Sequence, residues 1–266
     1  MLRRVLALLL ALTLPSLAAA QMLPGQSTQA EREGLEIGTS TSEIAITSDF
    51  RGADLTIFGA LTNTDNLLLA IGQYDVIVVL EGPREDATVR KKERVFGIWI
   101  NTSSMTFADV PHSYSMSSSR SIDDITTPLD LTGEGIGIDH IPLRPIDFAG
   151  NFNSLNEFRT AFRRLQQGGG LYERDPSGVR FVSSNLFKAS LRLPANIPNG
   201  VHTVRAYLFK SGEFVTQKSQ PLRVIKTGIE QTITDAAHEQ PILYGCLSVL
   251  LAVLTGWGAS LIFRKD

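Results

Sequence analysis

Cysteine is nearly missing from this chain. The one that occurs, Cys246, lies inside an uncharged run near the C-terminus. The remainder has no disulfide to lean on and must be held by its own apolar core. Charge of one sign is missing too: 25 Lys and Arg stand against 27 Asp and Glu, a net charge of −2 at pH 7. No basic field exists to attract nucleic acid. Histidine is scarce. His112, His140, His202 and His238 stand alone, without H-x-x-x-H or H-E-x-x-H spacing. Asp139 and His140 amount to half of a metal site at most, since zinc needs about three convergent protein ligands. No metal is expected, and each histidine reads as a surface or turn residue.

Signatures of catalysis are also lacking. The glycines of TGEGIG (132–137) have neither a following lysine nor a strand-turn-helix context, so no nucleotide cofactor is implied. Serines cluster in SYSMSSSRS (113–121), between His112 and Asp123-Asp124. No G-x-S-x-G elbow accompanies them, and sequence neighbours do not make the geometry of a triad. Such stretches ordinarily form loops and cap helices. The chain is therefore read as non-enzymatic; a hydrolase would require Ser118 or Ser119 to meet His112 and an acid.

Two greasy runs are present, one at each end. Arg3 and Arg4 precede an apolar core from Val5 to Leu14, Pro15 breaks it, and Ala18-Ala19-Ala20 follows. That order describes a secretory signal peptide cleaved after Ala20. The second run, Pro241 to Phe263, carries no charge and is closed by Arg264-Lys265. At ~1.5 Å per residue it is long enough to cross a bilayer. The basic tail obeys the positive-inside rule. The expected location is the bacterial inner membrane, single-pass, with the N-terminal domain periplasmic and the C-terminus cytoplasmic.

Between these ends the chain alternates. EIAITSDF, ADLTIFGAL, QYDVIVVLEGP and SMTFADVP form one block; GVRFVSS, LFKASLRLP and GVHTVRAYLFKSGEFVTQKSQPLRVIK form another. Ile44, Ile46, Leu55, Ile57, Val76 and Val78 suit half-buried strands. Val201, Thr203, Arg205 and Tyr207 share one strand face, His202, Val204, Ala206 and Leu208 the other. Lys210-Ser211-Gly212 reads as a hairpin turn. The fold class predicted is mainly β: one or two immunoglobulin-like antiparallel sandwiches with a short helical insertion and a C-terminal transmembrane helix. In the insertion, Ser154 and Glu157 form a capping box. Leu155, Phe158, Phe162 and Leu165 make an apolar stripe, with Arg159, Arg163 and Arg164 on the solvated side. Gly168-Gly169-Gly170 ends the helix.

The segment RKKERVFGIWIN (90–101) reads as a single strand. Arg90, Lys92 and Arg94 give way to Phe96, Ile98 and Ile100 on one parity, as if the strand enters a sandwich from its wet rim. Its cations have three readings: a solvated rim, a contact for an acidic partner or lipid headgroups, or an oxyanion pocket. Arg90, Lys92, Arg94 and Arg120 are the candidate anion or partner contacts. In the greasy helix Ser248, Ala252, Gly256 and Ser260 recur every four residues. They form a candidate helix-packing face, since small side chains let another membrane helix approach closely.

DVIVVLEGP, VRKKERVFGIWIN, VPHSYSMSSSR, LFKASLRLP, GVHTVRAYLFKSGEF and YGCLSVLLAVLTGWG together resemble an alphaproteobacterial family of predicted transmembrane proteins, over nearly the whole mature chain. Ser121 departs from the proline common in that family after the serine-arginine pair. The resemblance brings no activity and no catalytic residue. It implies a transport accessory role, because members tend to be encoded beside a sulfite-exporter-like permease.

The expected organisation is a signal peptide (1–20), an N-terminal β-sandwich domain (21–119) and a helical or loop connection (120–170). A second β domain or the completion of the first sandwich follows (171–227), then a stalk (228–240), a transmembrane helix (241–263) and a cytoplasmic tail (264–266). The expected function is a partner-binding subunit of a membrane transporter for sulfite or another anion. The alternative is a membrane-tethered anion- or ligand-binding module. Expected partners are an integral membrane protein such as that permease, or a second copy through the helix, and the lipid bilayer.

Overall fold

Apolar alternation becomes thirteen strands in the computed structural model, which describes residues 32–146, 152–228, 233–234 and 237–262. The predicted signal peptide, the basic tail and part of the stalk lie outside the described residues. The first strands are β1 (Gly34–Thr39), β2 (Glu43–Ile46), β3 (Ala53–Thr62) and β4 (Tyr74–Glu81). Next come β5 (Arg84–Val95), β6 (Ile98–Pro111), β7 (Tyr114–Ser118) and β8 (Arg144–Pro145). The last are β9 (Tyr172–Asp175), β10 (Val179–Phe181), β11 (Leu186–Leu193), β12 (Gly200–Lys210) and β13 (Glu213–Lys226). Helices are α1 (Asn66–Ala70), α2 (Ile122–Ile125), α3 (Pro128–Glu134), α4 (Phe152–Gly168) and α5 (Pro241–Ile262).

Two sheets form a sandwich, ordered β1-β3-β11-β10 and β2-β13-β12-β4-β7-β9. Strands from the 171–227 stretch pair with those of the earlier block in both sheets, β11 with β3 and β12 with β4. Most pairings are antiparallel; β2 with β13 and β7 with β9 are parallel. Leu55, Ile57, Val76, Val78, Phe187 and Val204 are among the side chains that close the core between the sheets. The turn after Lys210 is as read from sequence: Ser211 and Gly212 have φ of 51° and 91°. Both central residues are left-handed, the geometry that matches strand twist in a two-residue hairpin.

The larger sheet is buried on its other side as well, and this corrects the half-buried reading of Val76 and Val78. All eight residues of β4 are buried. Val76, Val78 and Leu80 enter the sandwich core, whereas Ile77 and Val79 enter a second one. That second core is closed by the base of the β5–β6 hairpin (Val89, Phe107, Val110), by Leu131 and Ile136, and by α4. Phe162 of α4 packs edge-on against Phe107 and Tyr172, with both ring centroids at 5.9 Å. Burying a side chain of this size stabilises by about 1.5–3 kcal/mol.

Helix α4 departs from expectation in three details. It starts at Phe152, two residues before the predicted cap, and Glu157 binds Lys91 Nζ at 3.0 Å instead of closing a capping box. Leu165 is 60% exposed, outside the core that its stripe neighbours Leu155, Phe158 and Phe162 enter. Arg159 and Arg163 are not simply solvated. Arg159 donates twice to the Leu143 carbonyl, and Arg163 donates to the carbonyls of Ile138 and Asp139. They stitch the preceding loop to the helix by satisfying its backbone carbonyls.

Candidate functional site

The segment 90–101 is not one strand. It is the outer half of a β-hairpin, turning at Phe96-Gly97. Phe96 has φ of 50° and Gly97 of 87°, so both turn residues are left-handed. Glycine adopts this freely, but a bulky aromatic does so at a steric cost. The turn inverts the predicted side-chain parity. Arg94 lies opposite Trp99 and Lys92 opposite Asn101 on one face; Val95 lies opposite Ile98 and Glu93 opposite Ile100 on the other. A bulge after Lys91, with Thr102 as the extra residue, marks where this outer half begins.

The apolar half does not enter a core. Phe96 is 103% exposed, Ile98 66%, Trp99 67% and Ile100 40%. From Arg90 to Phe96 the hairpin projects roughly 20 Å at strand rise. The strand-entering-a-sandwich reading therefore fails: the greasy end points into solvent and the base of the hairpin is the buried part.

Beneath the tip lie the cations. Arg90, Lys91 and Lys92 of β5 and Arg164 of α4 line a cleft of about 280 Å³, floored by Val89 and Phe158. Lys91 bridges the two elements, pairing with Glu157 at 3.0 Å and Glu93 at 3.5 Å. The hydrogen bond to Glu157 holds the Lys91 ammonium above its ordinary pKa. Among the described residues, Arg90 and Lys92 have no ion-pair partner, and Arg94 donates only to the Gly97 carbonyl, at 3.2 Å. Three of the four sequence candidates thus converge on one hairpin. Sequence reading missed the exposed apolar quartet because the turn at Phe96-Gly97 lacks the usual Asn-Gly or Asp-Gly signal. It missed Lys91 and Arg164 as site residues because they meet only through the packing of α4 on β5.

Arg120 belongs elsewhere. It follows β7, and its Nε donates to Asp75 Oδ1 at 3.0 Å, with Nη2 on the second oxygen. That bidentate hold raises the guanidinium's pKa and satisfies a carboxylate only 4% exposed. The serines nearby are similarly engaged. Ser118 Oγ donates to the Arg120 carbonyl and Ser119 Oγ to Asp75. His112 Nδ1 stands 3.7 Å from Glu85, so serines and imidazole serve different partners. Asp139 approaches Arg174 at 4.0 Å, while His140 Nδ1 bonds Thr132 Oγ1 at 2.8 Å. His202 is a correction: it is fully buried, not a surface residue.

Helix α5 holds the other candidate face. Pro241–Ser260 is long and apolar enough to cross a membrane and is uncovered by the rest of the protein. Ala252, Gly256 and Ser260 are exposed along it. Ser248 donates its hydroxyl to the Tyr244 carbonyl at 2.8 Å, so it presents no unsatisfied group to lipid.

A family described as "Putative transmembrane protein" (Alph_Pro_TM) matches residues 34–265. Among solved structures, the chain is similar to AggA, the major subunit of aggregative adherence fimbriae type I from Escherichia coli. Identity there is 8%, coverage 74% of this chain and 96% of that one, and the TM-score 0.27. Domain 1 of VCBP3 from Branchiostoma floridae gives 11%, 74%, 98% and 0.28 in the same order. The C-terminal domain of the Streptococcus pyogenes antigen I/II-family protein AspA gives 8%, 73%, 53% and 0.22. Comparison with curated proteins finds no match.

Proposed function

The chain belongs to the Alph_Pro_TM family of transmembrane proteins, and from that premise we propose a non-enzymatic, single-pass accessory subunit of a membrane transporter. Its β-rich domain is exported to the periplasm and its C-terminus faces the cytosol, in the bacterial inner membrane. The carrying observation is α5, a 22-residue helix with Ser248, Ala252, Gly256 and Ser260 at four-residue intervals. In lipid no hydrophobic force drives helices together, so close packing along small side chains is what association needs. The partner is an integral membrane protein, and the sequence resemblance favours an anion permease of the sulfite-exporter kind. The test is co-purification of the full chain from native membranes after crosslinking. Ala252→Leu with Gly256→Leu is expected to abolish recovery of the partner while leaving the chain in the membrane. Unchanged recovery rejects the packing face.

The basic cleft supports a second reading, a membrane-tethered anion-binding module. Arg90, Lys92 and Arg164 surround it without matching carboxylates beyond Glu157. Calorimetry of the detergent-solubilised full chain with sulfite or sulfate is expected to give heat that Arg90→Glu with Lys92→Glu removes. No heat with either oxyanion ends this reading.

A further inference from the structure

We propose that the tip of the β5–β6 hairpin is a second membrane contact, which inserts shallowly into the anionic surface of the bilayer that holds α5. Four observations carry this.

The apolar side chains are distributed all round. Trp99 lies on one face of the hairpin, Ile98 and Ile100 on the other, and Phe96 caps the turn. A protein groove would cover one face and leave the other wet. A fluid apolar phase covers both. Backbone groups at the tip pair across the two strands, which lowers the cost of leaving water.

Charge is arranged beneath that cap. Residues 90–104 carry four cations, Arg90, Lys91, Lys92 and Arg94, against Glu93, a net +3 in a chain whose total is −2. Arg94 and Lys92 sit two and four residues below Phe96, roughly 7 and 14 Å at strand rise. Interfacial elements bury their apolar part about 5–10 Å into the headgroup boundary. Arg94 then reaches lipid phosphates while Phe96 and Trp99 occupy the layer that aromatic rings favour.

Phe96 holds its place at a cost. A left-handed φ suits Asn or Gly, yet here it displays a fully exposed phenyl ring. Strain kept at an exposed position points to a use outside the fold.

Reach is sufficient. Fourteen residues, Thr227 to Gln240, join β13 to α5. Fully extended they span at most about 50 Å, so the domain stays near the surface to which it is tethered.

This inference rests on anchoring by α5 but not on a partner for it. The chain has two tryptophans, Trp99 at the tip and Trp257 in α5, and the experiment uses one at a time. Full-length Trp257→Phe and Trp99→Phe are reconstituted singly into nanodiscs of phosphatidylcholine with phosphatidylglycerol, with and without lipids brominated near the headgroup. The expected result is a blue-shifted Trp99 emission that brominated lipid quenches. That quenching is lost in discs of phosphatidylcholine alone, or when Arg90, Lys92 and Arg94 are all changed to Glu. Trp257 quenched with Trp99 at its water-exposed emission overturns the tip contact and leaves the anchor standing. Trp99 quenched with Trp257 unquenched leaves a tip that binds lipid but overturns the anchor, and with it the claim of a second contact; neither quenched overturns both. A blue shift without lipid quenching means a protein groove or second copy covers the tip, and overturns the proposal. Quenching that ignores both lipid charge and the Glu substitutions overturns the anionic surface as its target.

Discussion

The imidazole of His202 has no exposed surface, and among the described residues neither ring nitrogen has a well-formed hydrogen bond. Gly82 lies close to it: a Cβ there would come 3.4 Å from His202 Nε2 and collide with Ser113. Loss of hydration lowers the ring's pKa below its ordinary 6.5, and an approach of the Gly200 backbone opposes only part of that. The folded state therefore favours the neutral ring. Above the unfolded pKa both states are neutral and the group costs nothing further. As pH falls below 6.5, the unfolded chain takes up a proton that the folded chain refuses, and stability drops until the folded pKa is passed. The denaturant midpoint of the full chain is expected to fall as pH drops below 6.5, and His202→Leu to flatten that part of the profile. An unchanged profile in the variant overturns this account. The burial was legible. His202 alternates with Val204, Ala206 and Leu208, and that face is the one inside; taken as a lone histidine it reads as surface, whereas taken with its strand it does not.

At the scale of elements, the outer hairpin shows how one unrecognised turn changes every assignment beyond it. Strand parity has period two, so a two-residue turn moves Ile98 and Ile100 away from the side of Arg94 and puts Trp99 there. The sequence does contain alternation on both sides of Val95-Phe96-Gly97-Ile98, but Phe-Gly is a poor turn signal. Phe96→Asn restores the dipeptide that such turns prefer. It is expected to stabilise the domain by about 1 kcal/mol through relief of left-handed strain, or roughly 2–4 °C in Tm for a domain of this size. The same change is expected to weaken lipid quenching of Trp99. Opposite signs in the two measurements separate a displayed side chain from a structural one; destabilisation together with unaltered quenching defeats both halves. Strand β4 carried a plainer signal. Five successive apolar residues, Val76 to Leu80, without polar alternation mark a strand buried on both faces, which is what the two cores require.

On the scale of the whole molecule, the two β blocks of the sequence are one sandwich because β3 pairs with β11 and β4 with β12. Short-range pattern identifies strands but not partners more than a hundred residues away, so this interleaving was not readable from alternation. The second core follows from it. Once β12 and β4 sit in the middle of the larger sheet, Ile77, Val79, Tyr207 and Phe209 point away from the sandwich, and the chain between β4 and β9 must cover them. It does so with the hairpin base, the short helices and α4. That cover ends at Val89 and Met105; neither core uses a side chain from residues 90 to 104. A fold needing only a lid would stop the hairpin there, since each exposed Phe, Trp or Ile beyond it adds aggregation risk without adding burial. Retaining that greasy, cation-collared extension in a chain that also carries α5 is physically sensible if a bilayer covers what the protein leaves bare.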